Sequence, residues 1–409
     1  MSMACRALSR AGWIALGALV PGAQAACGAQ ETVAAVERPT LHLRQSAPAD
    51  VVGADDAALQ AACDRLRKSG GTLVIGPGRH VIRRQVNLPP DLVLRGEPGA
   101  ILAQPAPVLT ARAAAAGSRE LELAGAHELA ARSIVQLLPP VGVELFPDGK
   151  SAFLDLQWIE RVDGASIALR NALPFEVPTG SRVGYPTKLL MAPAVGRVTI
   201  EGLAFEGGKL DAIPMPGHHQ RCAIWAAAPF GYGEQRLGPP GTGVVIRDCQ
   251  FRDWYGRAIA LYHQVDGRVE RNVFERIADE AIDLDHFVER FEVRDNLVRD
   301  ALWGISLNDA SRCLVEGNRV EGGDIGIWIW WFDGLQEDGS FKIPPAGVNE
   351  ENVVRGNTVH GAARASIRVD VNCRRNLIER NEVDGEIEVI EPENTVRDNL
   401  RAPTAAPPR

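Results

Sequence analysis

A short segment that recurs seven times constrains the fold more than any other feature of this sequence. The copies begin at Cys222, Arg257, Glu280, Trp303, Ile325, Ala365 and Gly385. Each has Ile in its third place and a small or aliphatic residue in its fifth, and most copies start 20 to 24 residues apart. Alternation of period two predicts one short strand per copy, with its Ile inward. Repetition at this period is typical of a solenoid, in which each repeat buries its apolar face against its neighbours.

A second pattern lies between these copies and has an asparagine in its fourth place. Its members are Asn272, Asn296, Asn318, Asn357, Asn381 and Asn399, and Cys249 occupies the same place one repeat earlier. Stacked side-chain amides can hydrogen bond along the axis of a repetitive structure. We therefore expect these asparagines to stack in one turn, and the cysteines to be single core thiols rather than partners in disulfides.

The region from residue 52 to residue 103 carries a helix signal followed by strand signals. Asp55 or Asp56 can cap a helix that runs to about Lys68. Its apolar face carries Leu59, Ala62, Cys63 and Leu66. The motifs Gly70-Gly-Thr-Leu and Pro77-Gly-Arg-His follow. Together with the Asn-centred turns, this opening resembles the right-handed parallel β-helix proteins of the pectate-lyase superfamily. The resemblance implies that the helix covers the open end of the first coil, but it does not assign a reaction.

These signals divide the chain into six segments of an all-β protein. Residues 1–26 resemble a secretory signal that is removed on export to the periplasm or the extracellular space, with lipid anchoring at Cys27 as the alternative. Residues 27–50 are predicted to be a linker, and 51–107 the N-terminal cap with the first coils. Residues 108–187 predict a small antiparallel β insertion, 188–401 the β-helix, and 402–409 a disordered tail.

Charge and hydropathy exclude two classes of partner. The net charge is −8 and no run of basic residues occurs, which argues against nucleic acid. The apolar stretch Trp13 to Val20 is too short to span a bilayer, so no membrane span is expected. An extracellular polysaccharide is the partner that the remaining features favour.

One outward face of the predicted sheet concentrates polar and aromatic side chains. If Ile282 and Leu284 point inward, Asp283 and Asp285 point outward together. The fourth places of the copies are Trp225, Ala260, Asp283, Ser306, Trp328, Arg368 and Glu388; the sixth are Ala227, Tyr262, Asp285, Asn308, Trp330, Asp370 and Ile390; the seventh include His263, His286, Asp309 and Trp331. Stacked strands lie about 4.8 Å apart, so side chains in the same place on successive coils become neighbours.

This face predicts a catalytic site. Its expected catalytic residues are Asp283, Asp285, His286, Asp309, Tyr262 and His263, and its expected substrate-binding residues are Trp328, Trp330, Arg368, Asp370 and Asn308. Carboxylates this close cannot all ionise without compensation. Either Asp283, Asp285 and Asp309 hold a Ca²⁺ ion, or one carboxyl keeps its proton and serves as an acid. The alternatives are a solvated polar face and a Trp pair covered by the 332–349 loop.

Several reactions suit such a face. Eliminative cleavage of an acidic polysaccharide needs a base near an α-proton, whereas glycoside hydrolysis needs two carboxyl groups flanking the bond. C5-epimerisation is a third route, and a non-catalytic carbohydrate-binding protein is the alternative from another class. The polygalacturonase-like branch of the superfamily has an Asp-Asp pair where this chain has Ala301-Leu-Trp303, so the resemblance leaves the reaction open.

Overall fold

The computed structural model describes residues 38–140, 156–185, 188–208, 222–231, 235–236, 238–254, 256–331 and 349–403. The expected signal segment, Cys27 and all but the first two residues of the expected tail lie outside these ranges, as does all of the 332–349 loop except Asn349. In the described part of the chain, no helix is long and apolar enough to cross a membrane.

The chain alternates short strands with tight turns. The N-terminal part contains β1 (Thr40–Arg44), β2 (Val51–Val52), α1 (Asp56–Leu66), β3 (Gly71–Ile75), β4 (Gly78–Val81), β5 (Val86–Asn87), β6 (Leu92–Gly96) and β7 (Ala100–Ala103). The insertion contains β8 (Val108–Leu109), β9 (Glu120–Glu122), β10 (Ile134–Leu138), β11 (Leu156–Asp163), β12 (Ser166–Leu169) and β13 (Arg182–Gly184). The remainder contains β14 (Leu190–Ala192), β15 (Val198–Glu201), β16 (Ala204–Glu206), β17 (Cys222–Ala227), β18 (Phe230–Gly231), β19 (Gln235–Arg236), β20 (Gly241–Thr242), β21 (Val244–Arg247), β22 (Gln250–Arg252), β23 (Arg257–Tyr262), β24 (Gln264–Val265), β25 (Arg268–Glu270), β26 (Val273–Asp285), β27 (Glu292–Arg294), β28 (Leu297–Asn308), β29 (Leu314–Glu316), β30 (Arg319–Glu321), β31 (Ile325–Trp330), β32 (Val353–Arg355), β33 (Thr358–His360), β34 (Ala365–Val369), β35 (Leu377–Glu379), β36 (Glu382–Val383), β37 (Ile387–Val389), β38 (Thr395–Arg397) and β39 (Leu400–Arg401).

Two long sheets of parallel strands form the solenoid, so the predicted right-handed parallel β-helix is confirmed. One sheet has 12 strands in the order β2-β1-β3-β6-β15-β21-β25-β27-β29-β32-β35-β38. The other has 17 strands and contains the seven copies of the repeat. In it Ile224, Ile259, Ile282, Ile305, Ile327, Ile367 and Ile387 stand opposite one another in register. Equivalent residues of successive coils therefore lie side by side, as the sequence predicts.

The core is a stack of identical side chains from successive coils. The isoleucines from Ile224 to Ile367 are fully buried, whereas Ile387 is partly buried. The rings of Phe205, Phe251 and Phe274 stack with centroid separations of 4.7 and 4.8 Å, which equal the spacing of neighbouring strands. Each fully buried aliphatic or aromatic side chain of this size stabilises the fold by roughly 1.5–3 kcal/mol.

An asparagine ladder runs along one turn of six successive coils, as expected. Asn272, Asn296, Asn318, Asn357, Asn381 and Asn399 are linked by side-chain amide bonds of 2.9–3.0 Å. A second ladder joins Asn352, Asn376 and Asn394 with bonds of 3.0 and 2.9 Å, and the sequence analysis did not predict it. A cysteine precedes each ladder: the backbone amide of Cys249 donates to Asn272, and that of Cys313 to Asn352. All five described cysteines are buried free thiols, as predicted.

The N-terminal end is closed by α1, which begins one residue after its cap. The Asp55 carboxylate accepts a hydrogen bond of 2.9 Å from the backbone amide of Ala58. The expected apolar face of the helix is buried against β1, β2, β3 and β5. The expected linker over 27–50 is wrong in its described part. There, β1 pairs in parallel with β3 and buries Leu41 and Leu43, because its apolar residues alternate with polar ones.

The insertion folds as the antiparallel unit that its alternating sequence predicts. Its six strands lie in the order β8-β13-β10-β11-β12-β9 around a separate apolar core. The unit also touches the solenoid, because Leu138 packs on Ala278 of β26 and the Arg83 guanidinium donates to the Glu128 carbonyl. The insertion therefore lies against the strand that carries the predicted catalytic aspartates.

The ladder gives a stability prediction. Asn318→Ala removes the acceptor of the backbone amide and of one side-chain N–H of Asn296, which are then buried without that acceptor, while the side-chain nitrogen keeps its bond to the Val269 carbonyl. We expect the free energy of unfolding to fall by about 2–4 kcal/mol, since each unsatisfied buried group costs roughly 1–3 kcal/mol. Asn399→Ala, at a less buried position of the same ladder, is the matched control and should cost less. Equal losses for the two variants in urea denaturation would contradict this account.

Candidate active site

The strands of the repeat bend between their first and third places, and this bend assembles the site. Ala258 and Ile259 are both in the core, as are Ala281 and Ile282, so strict alternation fails here. The pairing of β26 with β28 shifts register between Ile277 and Glu280. Because two consecutive residues point inward, the first place of each copy turns outward and joins the face formed by the fourth and sixth places.

Arg257 occupies the first place of its copy and lies among four carboxyl groups. Its Nε lies 3.0 Å from Glu280 Oε2 and 3.8 Å from Asp279 Oδ2. Its Nη1 lies 2.9 Å from Asp283 Oδ2 and 3.7 Å from Asp285 Oδ2. The four carboxyl side chains are at most 7% exposed. One guanidinium cannot neutralise four buried carboxylates, so this cluster retains protons.

The pKa values in the cluster follow from this excess of carboxyl groups. Burial raises the pKa of Asp283 well above its ordinary value, and the attraction of Arg257 offsets only part of the shift. Burial, then the neighbouring Glu280, raises the pKa of Asp279 in the same direction. Burial by itself would lower the pKa of Arg257, but Asp283 and Glu280 raise it well above its ordinary value. The cluster thus favours a charged guanidinium and disfavours ionisation of Asp279 and Asp283.

A second group joins Asp285 to the next coil through an imidazole. His286 Nδ1 donates to Asp309 Oδ2 over 3.0 Å, and His286 Nε2 lies 3.7 Å from Asp285 Oδ1. One ligand atom from each of the three residues lies within 4.8 Å of the others, and all three residues are buried. Burial raises the pKa of Asp285, while the charges of His286 and Arg257 oppose that shift. Burial therefore favours the protonated form of Asp285 within this group.

Tyr262 connects the guanidinium to the aspartates. Arg257 Nη1 donates to the Tyr262 hydroxyl, and the ring of Tyr262 stacks on Trp225 with centroids 4.3 Å apart. Burial and Asp285 raise the pKa of Tyr262 well above its ordinary value, so the phenol keeps its proton. His263 lies next to His286, since its backbone amide donates to the His286 carbonyl over 2.7 Å, and its Nδ1 donates to the Pro229 carbonyl over 2.7 Å. It is not a member of the Asp285–His286–Asp309 group, and its catalytic role stays a prediction.

An aromatic platform lies on the following coils. Trp328 and Trp330 stack with centroids 4.5 Å apart, and Trp303 meets Trp328 edge to face at 4.8 Å. Trp328 Nε1 donates to Asp370 over 3.0 Å, and Trp330 Nε1 donates to Ser306 over 2.8 Å. All three indoles are half-buried, whereas the sequence predicts Trp328 and Trp330 to be exposed.

The predicted binding residues beside this platform have internal partners. Arg368 donates to Asp370 over 2.6 Å and also pairs with Glu388, which fixes Asp370 beneath the platform. Asn308 is buried beside Trp330 in register. Arg368 is therefore already compensated by two carboxylates and is a poor binding group for a substrate anion.

The structure divides the predicted metal ligands between two groups. Asp285 and Asp309 lie with His286, whereas Asp283 is paired with Arg257. Ca²⁺ prefers several oxygen ligands, and the remaining set offers two carboxyl groups and an imidazole beside a guanidinium. The described residues do not fit the expected Ca²⁺ site, because the positive charge of Arg257 lies 3.7 Å from one of its ligands.

Sequence reasoning missed the first-place residues Arg257, Glu280 and Trp303, as well as Asp279 and Lys188. The signal for the first three was present: an Arg, a Glu and a Trp stand where strict alternation requires small inward side chains. Lys188 lies before β14, whose residue Leu190 stands opposite Ile224, so it continues the same first-place column beyond Cys222. Its Nζ lies 3.2 Å from the centroid of the Trp225 ring.

A comparison with protein-family models agrees with the architecture. A family model described as a right handed beta helix region matches residues 235–399. No curated protein sequence matches significantly. Similar solved structures include one described as a glycoside hydrolase, with 11% identity over 88% of this chain and 96% of that chain and a TM-score of 0.45. Another is an exopolygalacturonase from Thermotoga maritima, with 12% identity over 85% of this chain and 88% of that chain and a TM-score of 0.41. A third is the A-module of a mannuronan C-5 epimerase from Azotobacter vinelandii, with 11% identity over 85% of this chain and 91% of that chain and a TM-score of 0.37.

The buried carboxyl cluster gives a prediction for stability against pH. The pKa of Asp283 is higher in the folded protein than in the unfolded chain, so its contribution to stability is lost as pH rises from about 4 through the folded value. Asp283→Asn mimics the protonated form. We expect the variant to match the stability of the wild type near pH 4 and to be increasingly more stable as pH rises. Melting temperatures measured from pH 4 to pH 8 check this, and each pKa unit of the shift corresponds to about 1.4 kcal/mol of unfolding free energy.

A surface aspartate supplies the control of opposite sign. The Arg290 hydrogen bond lowers the pKa of Asp266, so this group stabilises the fold above its unfolded pKa and loses that contribution as pH falls. Asp266→Asn should be less stable than the wild type at neutral pH and should converge with it at low pH. If Asp283→Asn behaves in the same way, the interpretation of the buried cluster is wrong.

Proposed function

The chain is a right-handed parallel β-helix protein, and we propose that it is a carbohydrate-active enzyme that hydrolyses glycosidic bonds of a polysaccharide. The observation that carries this proposal is the buried Asp285–His286–Asp309 group, in which one polar side-chain atom from each residue lies within 4.8 Å of the others. A platform of stacked indoles lies one coil away. A proton donor, a second carboxyl group and a surface for sugar rings are the three parts that glycoside hydrolysis requires.

Asp285 is the proton donor in this reaction. Burial raises its pKa, which lets it keep a proton that it can pass to the oxygen of the leaving sugar. The hydrogen bond from Tyr262 and the nearby Arg257 oppose full neutralisation, so the proton stays transferable rather than permanently bound. Asp285 then returns as the base that activates water.

Asp309 is the second carboxyl group. The imidazole of His286 donates to its Oδ2 and keeps it oriented. Carboxyl groups about 5–5.5 Å apart suit a covalent intermediate and retention of configuration, whereas wider spacing leaves room for water and gives inversion. Oxygens of Asp285 and Asp309 lie within 4.8 Å of each other, which favours retention.

Arg257 and Asp283 position these groups instead of reacting. One guanidinium nitrogen bridges Asp283 and Asp285, while the other side of the guanidinium is bound by Glu280. Asp283 is fully buried, and its Oδ2 lies 2.9 Å from Arg257 Nη1. Their role is therefore to set the orientation and the proton affinity of Asp285.

Electrostatics favours hydrolysis over elimination at this centre. Five carboxyl groups surround one guanidinium and one imidazole. Elimination would bring the carboxylate of a uronic acid directly into this acidic cluster, which repels it even when part of the cluster is protonated. A hydrolase needs no anion at the sugar that reacts.

The indole platform binds sugar rings next to the reacting centre. The bonds of Trp328 to Asp370 and of Trp330 to Ser306 fix both rings before substrate arrives, so little side-chain entropy is lost on binding. Ring faces that are half-buried still offer apolar surface to the C–H face of a sugar. The substrate is thus a chain of several sugars that lies along several coils.

The direct test is Asp285→Asn. Loss of the proton donor should reduce kcat about 10²–10⁴-fold while the circular dichroism spectrum and the binding of substrate are retained. Asp295→Asn, at an exposed turn of the 12-stranded sheet, is the matched control and should leave turnover unchanged. Trp330→Ala should instead raise KM, because it removes stacking surface without touching the carboxyl pair.

The substrate screen uses a panel of polysaccharides and three measurements. Reducing ends report hydrolysis, ultraviolet absorbance of unsaturated uronates reports elimination, and the anomer first released, seen by NMR, reports retention. Unsaturated products would overturn the proposal in favour of a lyase. Binding that depends on Trp330 without any turnover would identify a carbohydrate-binding protein.

A further inference from the structure

We propose that Lys188 forms an anion-binding subsite that receives the carboxylate of an acidic sugar at the N-terminal end of the site face. The inference rests on the proposed function, because it names the substrate class of the same face: a polysaccharide that contains uronic acid.

The position of Lys188 follows from the register of the sheet. Leu190 stands opposite Ile224 and Met191 opposite Trp225, so Lys188 occupies the first place of the coil that precedes Cys222. First places turn outward at the bend of each copy, as Arg257 does on the second coil after it. Lys188 therefore projects toward the same face as the carboxyl cluster, at the end remote from the indole platform.

Lys188 differs from the other cations of this face because the described residues give it no counter-ion. Its Nζ lies over the ring of Trp225, and among the described residues no carboxylate lies within 4.0 Å of it. Arg257 and Arg368 are each paired with at least two carboxyl groups. A half-buried ammonium without an anion is costly to keep charged, and a bound carboxylate removes that cost.

The residues around Lys188 hold its ammonium group in place and favour the binding of an anion. Trp225 is only 6% exposed and is held by its stack on Tyr262, so it supports the cation from below with a fixed ring. Burial, with a contribution from the charge of Arg257, lowers the pKa of Lys188. A bound carboxylate would raise that pKa again, so ligand binding and proton uptake reinforce each other.

The subsite is separated from the bond that is broken. Met191, Trp225, Ala260 and Asp283 stand in one row on successive strands, so Lys188 lies three strands, or about 14 Å, from the reacting coil. The acidic sugar therefore binds at one end and a stacked sugar at the other, with the reacting sugar between them. This arrangement reconciles an acidic reaction centre with an acidic polymer.

The experiment compares uronate-containing polysaccharides with their carboxyl-reduced forms, which keep the backbone and lose the charge. Cleavage is measured as kcat/KM from reducing ends, and binding is measured separately by affinity electrophoresis in the same polymers. The variants are Lys188→Met, which keeps the length and removes the charge, and Lys188→Arg, which keeps the charge. Lys68→Met, at an exposed position beyond α1, is the matched control. Thermal melting checks that each variant is folded.

We expect the wild type to prefer the charged form, and Lys188→Met to lower the ratio of the two kcat/KM values at least tenfold. Lys188→Arg and Lys68→Met should keep that ratio. A wild type without preference, or a folded Lys188→Met variant that keeps the preference, would overturn the subsite and leave hydrolysis standing. Binding that prefers the charged polymer and depends on Lys188, without cleavage of any polymer, would support the subsite and overturn the hydrolase. Absence of both binding and cleavage for every charged polymer would overturn the subsite.

Discussion

The in-register pairing of parallel strands is the constraint on which the rest of this protein depends. Each strand of the 17-stranded sheet satisfies its backbone groups with the coils before and after it, so a residue's place in the repeat fixes its neighbours. Asp283 lies next to Ala260 and Ser306 because those residues hold the same place. Chemistry on such a scaffold is a matter of which residues stand in a few columns, each about 4.8 Å from the next.

The columns themselves could be predicted from the sequence. Ile in the third place marks the inward side chains, and the outward neighbours of Asp283 and Asp285 follow by counting, as does the first asparagine ladder. The bend at the second place could not be derived by counting, because it replaces alternation with two consecutive inward residues. The bend is nevertheless visible in the sequence, because strict alternation would place the Arg257 guanidinium inside an aliphatic core. A charged residue in an apolar column therefore indicates a change of backbone direction.

The group that compensates the charge of the aspartates could not be predicted from the sequence. Counting placed three aspartates near one another and suggested a bound cation, yet the cation is the side chain of Arg257 from the preceding coil. The contact of that side chain with Tyr262 needs a bent strand, since strict alternation places side chains five residues apart on opposite faces of a sheet. The second ladder was more accessible, because Asn352, Asn376 and Asn394 each stand five residues before a member of the first.

The asparagine ladders have a direction. Each side-chain amide donates to the carbonyl oxygen of the amide on the following coil and to a backbone carbonyl of the preceding coil, so all the dipoles are aligned. The first position needs only a backbone N–H, which is why Cys249 and Cys313 are accommodated there. Every later position must offer an acceptor to the coil before it. Tolerance to substitution therefore has a direction along the axis: the first position of a ladder accepts other residues, whereas each later position requires asparagine. Exchanging a whole coil is thus easier than exchanging one asparagine of the ladder.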